Sequence, residues 1–124
     1  MELLARLREC ARSNPQHLVF FEGEEDRVLI AAGAIVRDRL AELTLLGRPQ
    51  VIRRRLHYWN VPPHSVECMD PLHSPRLASY AELLHERCKG KGLTQAKAFE
   101  MAQKPHFFAG LMVTAGDADA FIGG

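Results

Sequence analysis

Nothing in this sequence is apolar for long enough to cross a membrane, because no uninterrupted run approaches the roughly 20 residues that a span requires. The opening residues do not read as a secretory leader either, since Glu2, Arg6, Arg8 and Glu9 break what would have to be a continuous apolar segment. Charge of one sign is equally lacking: sixteen Lys and Arg stand against fifteen Asp and Glu, a formal net charge of +1. No global field therefore draws in nucleic acid or an anionic membrane, and any phosphate must be handled locally. Cysteine is sparse. Cys10, Cys68 and Cys88 form no Cys-x-x-Cys pair, which argues against a zinc or redox centre and for free thiols in a reducing cytoplasm. The six histidines show no His-x-x-x-His spacing, so no helix face presents a metal pair. The Gly-x-Gly-x-x-Gly and Gly-x-x-x-x-Gly-Lys-Ser/Thr fingerprints are both absent, against a dinucleotide fold or a P-loop.

What is present is the material of an ordinary domain: 124 residues, 47% hydrophobic and 25% charged. Leu3, Leu4, Leu7, Cys10 and Ala11 recur at helical spacing, which predicts a first helix with one buried stripe, stopped by Ser13-Asn14-Pro15. His17 to Phe21 predicts a buried strand, and Val28, Ala31, Ala32, Ile35, Val36 and Leu40 the apolar face of a helix to about Arg39. A second strand over Glu42 to Leu46 ends at Gly47, and a helix opens at Pro49 and runs to about Trp59. Val66 to Met69 is a third strand closed by Asp70-Pro71, and Ser74-Pro75 predicts a cap and first turn for a helix ending near Gly90 and Gly92. Thr94 caps a helix through about Gln103, Pro105 opens another over Phe107 to Met112, and Ala118 to Ile122 is a fourth strand. Alternating strands and helices imply parallel βαβ units, hence a three-layer αβα fold with a mostly parallel, Rossmann-like sheet.

Three stretches carry candidate chemistry. The carboxylates of Glu22-Gly23-Glu24-Glu25-Asp26 follow a strand, where a cleft is expected. They either supply a general acid or base from a dry site, or simply complement a helix N-terminus. Arg87-Cys88-Lys89-Gly90-Lys91-Gly92 either grips a phosphate by charge and backbone N–H groups, or serves only as a favourable helix end. Arg53-Arg54-Arg55 reads as a solvated helix face, and Cys88 as a structural thiol, since no His and carboxylate accompany it in sequence.

Taken in order, the motifs resemble the phosphate acetyl/butyryl transferase family. Phe21-Glu22-Gly23-Glu24-Glu25-Asp26-Arg27-Val28-Leu29-Ile30-Ala31-Ala32 is similar to its opening Pro-Glu-Gly-Glu-Asp-x-Arg-x-Leu-x-Ala-Ala. Leu45-Leu46-Gly47, Met69-Asp70-Pro71 and Lys91-Gly92-Leu93-Thr94 follow in the family's order, as does Phe107 to Val113 with Gly116-Asp117-Ala118-Asp119-Ala120. The resemblance implies an isocitrate-dehydrogenase-like fold, a homodimer with its site between two domains, and reversible acetyl transfer between coenzyme A and inorganic phosphate. Coenzyme A, acetyl-coenzyme A, acetyl phosphate and phosphate would be substrates, with no bound cofactor, no metal, no nucleic acid and no membrane. Residues 1–124 would be the N-terminal part of an incomplete first domain, the rest of the enzyme absent. The chain would then be an inactive fragment, because the carboxylate that deprotonates the thiol and the Arg and Ser groups that steady the transition state lie beyond Gly124.

No catalytic residue is therefore assigned here. Arg87, Lys89, Gly123 and Gly124 are the candidate substrate contacts. Phe21 stands where the motif has proline, Gly123 where it has serine, and Cys88 where many members carry an arginine linked to coenzyme A. The other reading is a non-catalytic module that senses acetyl-coenzyme A, such as the related domain of malic enzymes. A decarboxylating dehydrogenase or a phosphate-dependent acyltransferase of lipid synthesis fits less well, lacking the acidic opening.

Overall fold

A computed structural model describes residues 2–123, so Gly124 lies outside the described residues. After the helix α1 (Leu3–Ser13), the chain alternates β1 (Gln16–Phe20), α2 (Asp26–Arg37), β2 (Ala41–Leu46), α3 (Pro49–Tyr58) and β3 (Glu67–Met69). Three consecutive helices, α4 (Leu77–Cys88), α5 (Gln95–Ala102) and α6 (Pro105–Thr114), precede β4 (Ala120–Ile122). The strands form one parallel sheet in the order β3-β2-β1-β4. The fold is thus α/β, as the alternation predicts.

Strand residues point alternately to the two faces, and the core divides accordingly. Leu18, Phe20, Leu43 and Leu45 meet Val28, Leu29, Ala32, Ile52 and Leu56 of α2 and α3. Val19 and Leu46 meet Leu77, Tyr80 and Ala81 of α4, Ala102 of α5, and Phe108, Ala109, Leu111 and Met112 of α6. Each fully buried Leu, Ile or Phe stabilises the fold by about 1.5–3 kcal/mol. Thr44 is the polar residue of the buried set; its hydroxyl and His17 Nε2 lie 2.7 Å apart, so the hydroxyl is satisfied.

Four expectations change in detail. The stripe of α1 is not buried: Leu3, Leu4 and Leu7 are 72%, 57% or 52% exposed in the order Leu3, Leu7, Leu4, and α1 holds no buried residue. Periodicity sets which residues share a face but not whether another element covers it. α4 starts two residues later than a Pro75 first turn would place it, because the Ser74 hydroxyl accepts from Arg76 N in a local turn at 3.1 Å. α2 stops at Arg37, and Arg39 takes a positive φ of 55° to turn the chain into β2. β4 is shorter than predicted, since Asp119 N donates to the His17 carbonyl at 2.8 Å only at the strand's entry. Its Phe121 and Ile122 stay half-exposed at the sheet edge.

Candidate functional site

In a parallel α/β sheet, binding groups collect beyond the carboxyl ends of the strands. Here that end is built from Phe21 to Glu25 after β1, Gly47-Arg48 after β2, Asp70 after β3 and Gly123 after β4. The first two loops are fastened together. Gly23 N donates to the Leu46 carbonyl at 3.0 Å, an approach so close that a Cβ on Gly23 would stand 2.5 Å from that oxygen. Gly47 takes a φ of +150° and leaves room for Glu24, whose Cγ a Cβ there would meet at 3.0 Å.

Glu24 accepts three N–H groups of Arg48: the backbone N at 2.9 Å, Nε at 3.0 Å and Nη2 at 2.7 Å. The hydrogen-bonded Arg48 guanidinium holds the Glu24 carboxyl below its usual range, overriding partial burial. Asp26 accepts from Arg55 Nη1 at 3.1 Å and Trp59 Nε1 at 3.2 Å, and Glu22 pairs with Arg27 at 3.4 Å. A general base at neutral pH needs a raised pKa, whereas Glu24 is driven the other way. Of the two readings of the acidic stretch, the structure favours neither a dry base nor bare solvated charge. It makes Glu22, Glu24 and Asp26 partners of arginines.

The candidate substrate contacts fall on separate walls. Arg87 and Lys89 lie exposed on the last turn of α4 and the 3-10 turn that follows it, where Lys89 pairs with Glu86 at 3.0 Å. That hydrogen bond lowers the Glu86 pKa. Gly92 closes the turn in the left-handed conformation, φ +82°, as a favourable helix end requires. One turn earlier, Leu84 reaches a hollow of about 420 Å³ shared with Phe21, His106, Phe107 and Phe121. Gly123 borders a different hollow, about 270 Å³, with Phe20, Glu22, Arg27 and Ile122. The Phe21 ring lies where a Gly123 side chain would have to go, so at these positions the departures from the motif proline and serine are matched. Gly124 lies outside the described residues. The structure thus does not gather Arg87, Lys89 and Gly123 into one pocket.

Arg48 and Asp117 were not singled out by sequence. A lone Arg before a proline carries no motif, and only folding brings it against Glu24. The Asp117 signal was present in Gly116-Asp117-Ala118-Asp119, yet its partners sit 37 residues away on α4 and 41 residues away just before it. Arg53 and Arg54 are exposed, as a solvated face requires, while Arg55 pairs with Asp26. Burial pushes the Cys68 thiol up, so that cysteine is not an activated thiolate. Among the described residues no three His, Cys, Asp or Glu side chains come together as a metal would need. None of their helices is long and apolar enough to cross a membrane.

Comparison with known proteins agrees with the architecture. Residues 2–124 match the family model described as phosphate acetyl/butaryl transferase. A phosphate acetyltransferase from Clostridium acetobutylicum is 35% identical over all of this chain, which spans 37% of that relative's length. One from Corynebacterium glutamicum is 33% identical over 95% of the chain and 36% of the relative. An NADP-dependent malic enzyme from Salmonella typhimurium is 34% identical over 92% of the chain and 16% of its own length. Among solved structures, a phosphotransacetylase from Streptococcus pyogenes superposes with a TM-score of 0.88 at 26% identity, over 98% of this chain and 37% of that one. The EutD phosphotransacetylase from Staphylococcus aureus gives 0.83 at 26% identity, over 98% and 38%. With its ordered motifs, its parallel sheet and a family match along residues 2–124, the chain belongs to the phosphate acetyl/butyryl transferase family.

Proposed function

We propose that these residues serve a cytoplasmic, homodimeric phosphate acetyltransferase, which moves an acetyl group reversibly between coenzyme A and inorganic phosphate. Residues 1–124 form the N-terminal part of its first domain. The observation that carries the reading is the family match along residues 2–124.

The ion-paired carboxylates support a division of labour. With Glu24 held ionised by Arg48 and Asp26 engaged by Arg55 and Trp59, the strand ends make a fixed floor rather than a proton acceptor. The base that takes the thiol proton, and the donors for the tetrahedral oxyanion and departing phosphate, come from outside residues 2–124. A missing oxyanion donor alone costs a factor of about 100 to 1000 in rate. Arg87 and Lys89, exposed at the end of α4, suit the phosphates of coenzyme A by charge. Lys89 would exchange Glu86 for them, a small loss because such exposed pairs contribute little. Gly123, which borders the hollow beside Arg27, serves the phosphate side.

The test is formation of acetyl-coenzyme A from acetyl phosphate and coenzyme A by the gene's full product. Turnover that depends on both substrates is expected, and a protein binding neither would end the reading. The match to a malic enzyme favours one second reading, a module that senses acetyl-coenzyme A. Calorimetric binding of coenzyme A without acetyl exchange would select it.

A further inference from the structure

Helix α4 is seated most deeply at its N-terminal end, with Leu83 and Leu84 only partly buried further along. Its fully buried residues, Leu77, Tyr80 and Ala81, all lie in its first half, while Arg87 stands exposed at the other end. Two polar links fasten the seated end, and both finish on one carboxylate. Tyr80 Oη donates to Asp117 Oδ2, and Arg76 Nη1 stands 3.0 Å from the same oxygen. The Tyr80 ring is 3% exposed and meets Phe108 edge-on at 5.0 Å between centroids. Asp117 sits in the turn between α6 and β4, with its own N–H on the Met112 carbonyl at 2.8 Å. Two residues on, Asp119 exchanges hydrogen bonds with the His17 backbone, donating and accepting at 2.8 Å. The anchor is therefore part of the sheet's frame.

We propose that Asp117 is a positioning residue: by clamping Tyr80 and Arg76 it sets the tilt of α4, and so where Arg87 and Lys89 meet the phosphates of coenzyme A. This rests on the role given to those two cations under Proposed function. At about 1.5 Å of rise per residue, Arg87 stands roughly 10 Å beyond Tyr80 along the helix. A tilt of about 10° at the clamp would move it by nearly 2 Å, by lever geometry on that rise. A shift of that size takes a cation out of hydrogen-bond reach of a phosphate oxygen. Burial and the Asp117 hydrogen bond push the Tyr80 pKa up from its ordinary value, so the phenol remains a donor well above neutral pH.

Steady-state kinetics on the gene's full product test the assignment. Asp117→Asn and Asp117→Ala raise KM for coenzyme A about tenfold, leaving kcat and KM for acetyl phosphate unchanged, with Tyr80→Phe smaller in the same direction. Arg87→Ala adds little in the Asp117→Ala background, a non-additivity that general destabilisation would not produce. Asp119→Asn weakens the tie between β4 and β1 without touching α4, and leaves KM for coenzyme A unchanged. The proposal is overturned if Asp117→Asn leaves that KM unchanged, or if Asp117→Asn and Asp119→Asn raise it equally. Should Asp117→Ala fail to fold, Asp117→Asn and Tyr80→Phe decide. An unsubstituted protein without transfer activity would instead refute the proposed function, and this role with it.

Discussion

At the scale of single residues, the strand ends depend on what is too close to change. A Cβ on Gly23 would press to 2.5 Å of the Leu46 carbonyl oxygen, which is backbone in the second strand and cannot step aside. Gly23→Ala should therefore destabilise the fold by about 1–3 kcal/mol, seen as a lower urea midpoint with an unchanged slope; an unchanged midpoint would mean that the loop gives way. Glu24 makes a prediction in pH. A carboxyl whose folded pKa lies below its ordinary value of 4.5 stabilises the fold above that value and loses its contribution as pH falls through the depressed folded pKa. Glu24→Gln should narrow the stability difference from the parent below about pH 4.5, the carboxyl's unperturbed range. A difference that widens on acidification would contradict the Arg48 latch. The acidic stretch was legible in the sequence as a feature of this end of the sheet. Its partners were not, because Arg48, Arg55 and Trp59 lie 24, 29 and 33 residues from the groups they hold.

At the scale of elements, periodicity and punctuation located each strand and α-helix of the described residues, and the differences have two causes. A pattern in sequence states which residues lie on a face. It is silent on what lies opposite. α2 and α1 both show apolar residues at helical spacing, but α2 buries Val28, Leu29, Ala32 and Gly33 against the sheet, and α1 buries none. One hydrogen bond from Arg12 Nε to the Asp38 carbonyl, at 2.8 Å, ties α1 to the end of α2. Changing Leu3 and Leu7 to Ser in this chain should therefore shift the thermal midpoint far less than Phe108→Ala. The latter empties a fully buried site and costs about 3–5 kcal/mol. Equal losses would show that α1 is packed in solution. Short-range turn chemistry was the other source of error: Ser74 caps a local turn at Arg76 and not the helix, a choice between two hydrogen bonds that sequence leaves open.

At the scale of the whole molecule, the order of the motifs was the legible part of the function. The sheet order β3-β2-β1-β4 sets the loops that follow Phe20, Leu46 and Met69 at the carboxyl end of one sheet, while residues 116–119 enter β4 at the opposite end, where Asp119 meets His17. Cations and glycines could not be sorted into site and scaffold by type alone. Arg87 and Lys89 stand apart from Gly123, and neither lines the hollow that Gly123 borders. We propose that residues 2–124 form the floor of a transferase site whose reacting groups lie elsewhere. The direct measurement is acetyl-coenzyme A formation from acetyl phosphate and coenzyme A by the purified 124-residue chain alone, beside the gene's full product. Turnover is expected from the full product and none above background from the chain; steady turnover by the chain itself would overturn this division of labour.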